Sequence, residues 1–370
     1  MNSPTSGQPQ PNQNSGANGG APTVRKKRRS SFWDPLFDPN FKGTTNVFDW
    51  MTGTVTGVRN SVCGSDKLVE TMAQKSASRW SIRNFKFQSC DFQGNFTTVD
   101  LSFNECEFVD ADLGLSVWKN IKFSKCTFVR SSFTLATFEQ CQFIDCTWKD
   151  IGISGTETKL FETTISNPWD FINSAYTNTN KDVLKQRGDT NPAHQLMRLE
   201  ETKVKLARSV LSASERNADD VVYYEAVKTY LTQALKARKA RATYDRDTTN
   251  STRVRALSSW KSFLADGELI ILNASGAINA WGFSLARAAL VGVALIIAFM
   301  AIYFALGITD SGWLALMMSF DVTLLVGYTK HATEQSSWLA QFLYALNALL
   351  GLWWYAIFVP TVINRISRVR

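Results

Sequence analysis

Few side chains in this 370-residue chain are arranged for covalent chemistry. The two histidines, His194 and His331, fall in segments expected in different compartments. No phosphate loop, nucleophile elbow or metal-ligand spacing accompanies them, so an enzyme is not expected. The most specific chemistry is that of a backbone motif, Leu325-Val326-Gly327-Tyr328-Thr329, which closes an apolar stretch. Gly327 can take the positive φ that a carbonyl-lining strand needs. Rings of backbone carbonyls can replace the hydration shell of an ion. Ser319 and Asp321 lie just upstream, and an acid in such a stretch is costly unless it faces protein or water. These residues suit ion coordination, with no cofactor and no bound metal; a monovalent ion is the candidate permeant species.

The elements that must position this motif are two apolar runs. Ala288 to Ile308 and Trp338 to Ile363 are uncharged, and each exceeds the ~20 residues a helix needs to cross a bilayer. Between them lies Gly312 to Thr329, too short to cross independently. Non-helical backbone at membrane depth survives only where protein buries it or water lines it. Two spans, about 287–308 and 338–363, with a re-entrant segment at about 312–329 are therefore the minimal plan of a pore. Trp313 and Trp338 read as interfacial anchors. A mean hydropathy of −0.13 is too polar for a multispan transporter, so a large soluble part must precede the spans.

Charge sets the expected topology. Arg287 precedes the first span, and Arg365, Arg368 and Arg370 follow the last. Nine Lys/Arg between Lys228 and Lys261 face only Asp245 and Asp247. The positive-inside rule then places both termini in the cytoplasm of a multi-pass protein of the plasma membrane or bacterial inner membrane. The net charge of +8 belongs mostly to that face, where anionic membrane lipid is the expected partner. Nucleic acid is not expected, because no recognition motif accompanies the charge. Leu269 to Ala286 is also uncharged, but Asn273, Ser275, Gly276, Asn279 and Gly282 make it an interfacial segment rather than a third crossing.

Upstream, residues 82–153 repeat with a period of five. Phe103, Phe108, Leu113, Trp118, Phe123, Phe128, Phe133, Phe138, Phe143, Trp148 and Ile153 are all large and apolar. Two positions before each stands a mostly small residue, including Cys106, Cys126, Cys141 and Cys146. Ile82, Phe87 and Phe92 keep the period one residue out of phase, which points to an insertion near Asn95 to Thr98. Neither a helix nor a strand makes a period of five. The stretch resembles the pentapeptide-repeat family, which implies a right-handed quadrilateral β-helix with four pentapeptides per coil. Residues twenty apart then stack, placing Phe103, Phe123 and Phe143 in one ladder and Phe108, Phe128 and Trp148 in another. Flanking segments must cover both ends. A small thiol suits the inward slot, so the cysteines read as packing residues. The outer surface mixes Lys and Glu, which leaves a protein partner docked on it as the default role.

From His194 to Arg246 the apolar spacing turns helical, and Asp219-Asp220 can start a second helix. The expected organisation is a disordered basic tail at 1–31, an N-terminal cap at 32–81 and the β-helix at 82–155. A linker at 156–190, a basic helical hairpin at 191–262 and a membrane domain at 263–370 follow.

The last hundred residues resemble the two-transmembrane potassium-channel pore domain in the order span, pore helix, filter, span. The resemblance implies a homotetrameric ion channel whose selectivity filter is Leu325, Val326, Gly327, Tyr328 and Thr329. Ser319 and Asp321 take pore-support positions, Gly351 the hinge position and Lys330 the outer mouth. Val326, Gly327 and Tyr328 match in register. Leu325 stands where the family has Thr, Thr329 where it has Gly, and Lys330 where it often has Asp, so the permeant ion is left open. With no Arg-rich span, gating is expected to come through the cytoplasmic repeat domain. The alternative is a non-conducting, membrane-anchored scaffold.

Overall fold

A chain that must turn a corner every five residues needs left-handed backbone at each corner. Glu105, Asp110, Leu115, Asn120, Lys125, Arg130, Leu135, Gln140, Asp145 and Asp150 all have φ between 48 and 64°. In this computed structural model the described residues are 46–50, 56–97, 100–175, 191–216, 219–326, 331 and 337–368. The basic tail expected at 1–31 lies outside them.

The corners build a β-solenoid of stacked parallel coils with four faces. One face runs through Arg79–Arg83, Asp100–Asn104, Lys122–Ser124, Gln142–Ile144 and Thr164–Ile165. Its pairing aligns Phe103 with Phe123 and Phe123 with Phe143. Their rings stack 5.1 and 4.7 Å apart with planes within 4°. The next face stacks Phe108, Phe128 and Trp148 at 4.7 and 4.8 Å. Aromatic rings bury large apolar areas, and these ladders are the core of the soluble part.

The small slots serve a second purpose. Cys126 and Cys146 donate to the carbonyls of Phe103 and Phe123 in the preceding coil, at 3.4 and 3.5 Å. Ser131 does the same to Phe108 at 2.9 Å. All six cysteines are buried and none forms a disulfide, and burial pushes the Cys141 thiol up to about 12.

The coils extend beyond the stretch that the period marks. Lys159–Phe161 and Thr164–Ile165 continue two faces inside the segment read as a linker. There Leu160 pairs with Phe138 and Ile165 with Phe143, a step of 22 instead of 20. A short 3-10 turn, Gly155–Glu157, absorbs the extra residues. At the other end Asn46–Val47, Gly57–Arg59 and Ser61–Gly64 form further rungs, and α1 (Ser65–Gln74) places buried Leu68 and Met72 over the core.

The C-terminal opening is closed by α2 (Pro168–Asn173), whose Phe171 meets Trp148 edge-on at 4.8 Å. A helical pair, α3 (Pro192–Glu215) and α4 (Asp220–Thr248), packs over it. Asn191 and Asp219 cap these helices by accepting from their first backbone N–H groups. Leu206, Ala207, Val210 and Ala226 join the solenoid core. A third long helix, α5 (Thr252–Asn279), packs along α4. The periodicity did not single it out. Ala280 and Trp281 then turn left-handed, and the chain enters α6 (Leu285–Ala305), α7 (Gly312–Thr323) and α8 (Trp338–Arg368). The segment 269–286 is thus divided among the end of α5, this turn and the start of α6. Pro360 sits within α8 and does not end it.

Two outcomes test this core. Phe123→Ala removes the centre of a ladder and is expected to cost about 3–5 kcal/mol, read as lost amide-exchange protection across residues 100–165. Cys126→Ser keeps a donor for the Phe103 carbonyl and is expected to cost less than about 1 kcal/mol.

Candidate functional site

Helices α6 and α8 are long and apolar enough to cross a membrane, and only 22% and 17% of their most apolar windows are buried. A helix from a soluble core would be mostly covered. Their outward faces therefore need an apolar surrounding, and the chain associates with a membrane.

Helix α7 is different. Its 12 residues span about 18 Å, well short of the ~30 Å hydrocarbon core. It packs against both α6 and α8. Ser311 precedes it, reached from α6 by a tight turn in which Gly307 has φ +64°. Ala315, Ser319, Val322 and Thr323 form its buried face.

A polar cluster holds the three helices together. Asn347, fully buried on α8, donates to the Tyr303 hydroxyl of α6 at 2.9 Å and accepts from the Thr323 hydroxyl of α7 at 2.9 Å. Its amide also lies 3.5 Å from the Ser319 carbonyl. The Ser319 hydroxyl donates to the Ile296 carbonyl of α6 at 2.8 Å. In hydrocarbon each of these groups would be costly unpaired. The cluster satisfies them together and fixes α7 in place.

Gly351 lies one helical turn beyond Asn347, where α8 meets the end of α7. A Cβ there would stand 2.2 Å from the Thr323 carbonyl oxygen. The same device recurs between α6 and α8: a Cβ on Gly292 would meet the Trp354 ring at 2.4 Å, and the Trp354 indole donates to the Ala288 carbonyl at 2.7 Å. Gly351 thus makes the closest helix contact of the α7 end.

Helix α7 ends in a tight C-cap. The Leu325 and Val326 amides donate back to Val322 and Asp321 carbonyls, at 3.1 and 2.9 Å. Leu325 takes φ +61°, a left-handed position usually given to Gly. Val326 follows and is 79% exposed. Gly327, Tyr328, Thr329 and Lys330 lie outside the described residues. Asp321, partly exposed on α7, has its Oδ2 3.3 Å from His331 Nε2. This contact brings the two sides of the 327–330 segment together. The C-terminal end of α7 carries a partial negative charge from its backbone dipoles, which favours a cation nearby. Trp313 and Trp338 are exposed near the starts of α7 and α8.

Of the residues singled out from sequence, Ser319 lies on the buried face of α7, Gly351 packs against Thr323 at its end, and Asp321 and Leu325 lie at its C-terminal end. Asn347, Thr323, Tyr303 and His331 were not anticipated. An Asn in the middle of a membrane-length run was the available signal for the first of these.

A junction connects the soluble helices to this region. Asn279 at the end of α5 donates to Thr361 of α8 at 2.9 Å, and the Trp353 indole of α8 donates to Ser275 at 3.2 Å. Beside these bonds lies a cavity of about 410 Å³ bordered by Tyr223 and Tyr224 of α4, Trp281 and Pro360.

No protein-family model matches this chain, and no curated protein is similar to it.

Two variants probe the site. Gly351→Ala is expected to push α7 from α8 and lower stability by about 1–3 kcal/mol, read as a reduced midpoint for thermal unfolding in detergent. Leu325→Gly removes a left-handed non-glycine residue and is expected to raise stability by about 1 kcal/mol.

Proposed function

We propose that the chain is an ion channel of potassium-channel-like architecture, assembled as a homotetramer in a plasma or bacterial inner membrane. Both termini face the cytoplasm in this reading. The observation that carries it is α7: a helix too short to cross, held between two membrane-length helices by Asn347 and followed in sequence by Leu325-Val326-Gly327-Tyr328-Thr329. Four such helices around one axis would aim their partly negative C-terminal ends at a common point. That polarity, with Asp321 beside it, favours a monovalent cation as the permeant ion. Lys330 at the outer mouth works against cation entry, and the selectivity of the pore follows from the balance of the two. The soluble domain would act through the α5–α8 junction, since the solenoid is joined to α3 and α4, α4 to α5, and α5 to α8.

A second reading, a non-conducting membrane-anchored solenoid scaffold, draws on Leu325. Its backbone closes a helix at the position where the resemblance calls for the first carbonyl-lining residue.

Ion flux from liposomes holding the purified full chain separates the two. The channel reading expects cation flux that Gly327→Asp abolishes while the protein stays folded. Equal absence of flux from wild type and variant, across the gating conditions tried, favours the scaffold. In that case Leu325→Thr has no effect on transport either.

A further inference from the structure

Helix α5 carries an exposed apolar face that no part of the described chain covers. Leu257, Trp260, Phe263, Leu264, Ile270 and Ile271 are all exposed, Phe263 by 66% and Ile270 by 70%. Ser258, Ala265 and Gly276 form the opposite, buried stripe. The helix is 28 residues long, about 42 Å.

The charges of α5 are sorted with respect to these faces. Asp266 and Glu268 are drawn to α4, where they pair with Lys239 at 2.7 Å and Arg238 at 2.5 Å. Arg253, Arg255 and Lys261 remain exposed toward the first half of the helix. Asp266 and Glu268 flank the apolar face half exposed, and their charges are matched by Lys239 and Arg238. In an isolated soluble helix this pattern would be an aggregation hazard.

We propose that this face of α5 is a lipid-binding surface, lying flat in the headgroup region of the cytoplasmic leaflet with its basic end on anionic lipid. Three observations select lipid as the occupant. The C-terminal end of α5 passes through the Ala280–Gly282 turn directly into α6. That end is also bonded to α8 through Asn279 and Ser275, so the apolar face is continuous with the membrane-length helices. The face combines Trp260, aliphatic residues and flanking Arg and Lys, the composition of helices that bury one side ~5–10 Å into a bilayer. Because the Lys239–Asp266 and Arg238–Glu268 pairs tie α5 to α4, lipid bound to α5 also holds the α3–α4 pair, and the solenoid it caps, against the membrane.

The inference rests on α6 and α8 crossing a bilayer. The test uses the full chain in vesicles of phosphatidylcholine and phosphatidylglycerol. All six native cysteines are buried, so spin labels attached to Leu264→Cys or Ile271→Cys report on α5, Arg255→Cys on its polar side and Ile297→Cys on the outer face of α6. Accessibility to oxygen and to a water-soluble nickel chelate is measured at each. The expected result is an oxygen-to-nickel ratio several-fold higher at 264 and 271 than at 255, approaching that at 297. A water-like ratio at 264 and 271 with a lipid-like ratio at 297 overturns the inference and leaves the spans standing. Occlusion from both reagents at 264 and 271 overturns it in favour of a second copy of the chain. A water-like ratio at 297 removes the premise and the inference with it.

Discussion

One amide, that of Asn347, determines whether the membrane end of this protein has a site at all. A 12-residue helix cannot satisfy a bilayer by crossing it, so α7 needs partners along its length and at its end. Asn347 reaches Thr323 of α7 and Tyr303 of α6 from the middle of α8. Its amide uses both of its functions here, the N–H on the Tyr303 hydroxyl and the carbonyl for the Thr323 hydroxyl. With α7 fixed, the backbone that leaves it at Leu325 starts from a defined point, and Gly351 lets α8 come close enough to keep it there. Remove the bridge and the Thr323 and Tyr303 hydroxyls lose their partner inside an apolar packing.

The soluble half obeys a different constraint and meets the first at one junction. A solenoid exposes a core at each end, and here the C-terminal end is closed by helices that the chain also uses to reach the membrane. The helices α3 and α4 contribute Leu206, Val210 and Ala226 to the aromatic core, and α4 also packs against α5. Helix α5 then touches α8 near Pro360. Capping and coupling therefore run through the same helix, α4. A strain applied to the solenoid has a continuous packed route to the last membrane helix.

Sequence revealed the ladders because a period of five has few other physical causes. It did not reveal how far they extend. Leu160 and Ile165 fill the large positions of two further strands, but a two-residue insertion puts them out of phase with Ile153, and a strict count ends there. The spans were legible from their lack of charge, and the segment between them was legible as too short to cross, as the 12 residues of α7 are. Helix α5 escaped because its outward face is apolar while Arg253, Arg255 and Lys261 crowd its first half, which looks from sequence like a basic hairpin followed by an interfacial patch. Asn347 escaped because one polar residue among the few in the span, Gln341 and Thr361 included, has no periodicity. Its meaning lies in Tyr303, 44 positions away. The left-handed Leu325 was invisible for a related reason: sequence favours Gly at such a cap, and this chain uses Leu.

The central claim is that several copies of α7 converge around one axis. The most direct measurement is single-particle imaging of the full chain in lipid nanodiscs, with the subunits counted and the path of residues 325–330 traced. The account predicts four copies related by fourfold symmetry, with the segments after α7 meeting at the axis and the outer faces of α6 in lipid. A monomer or dimer in which those segments lie apart, with no shared axis between them, would contradict it.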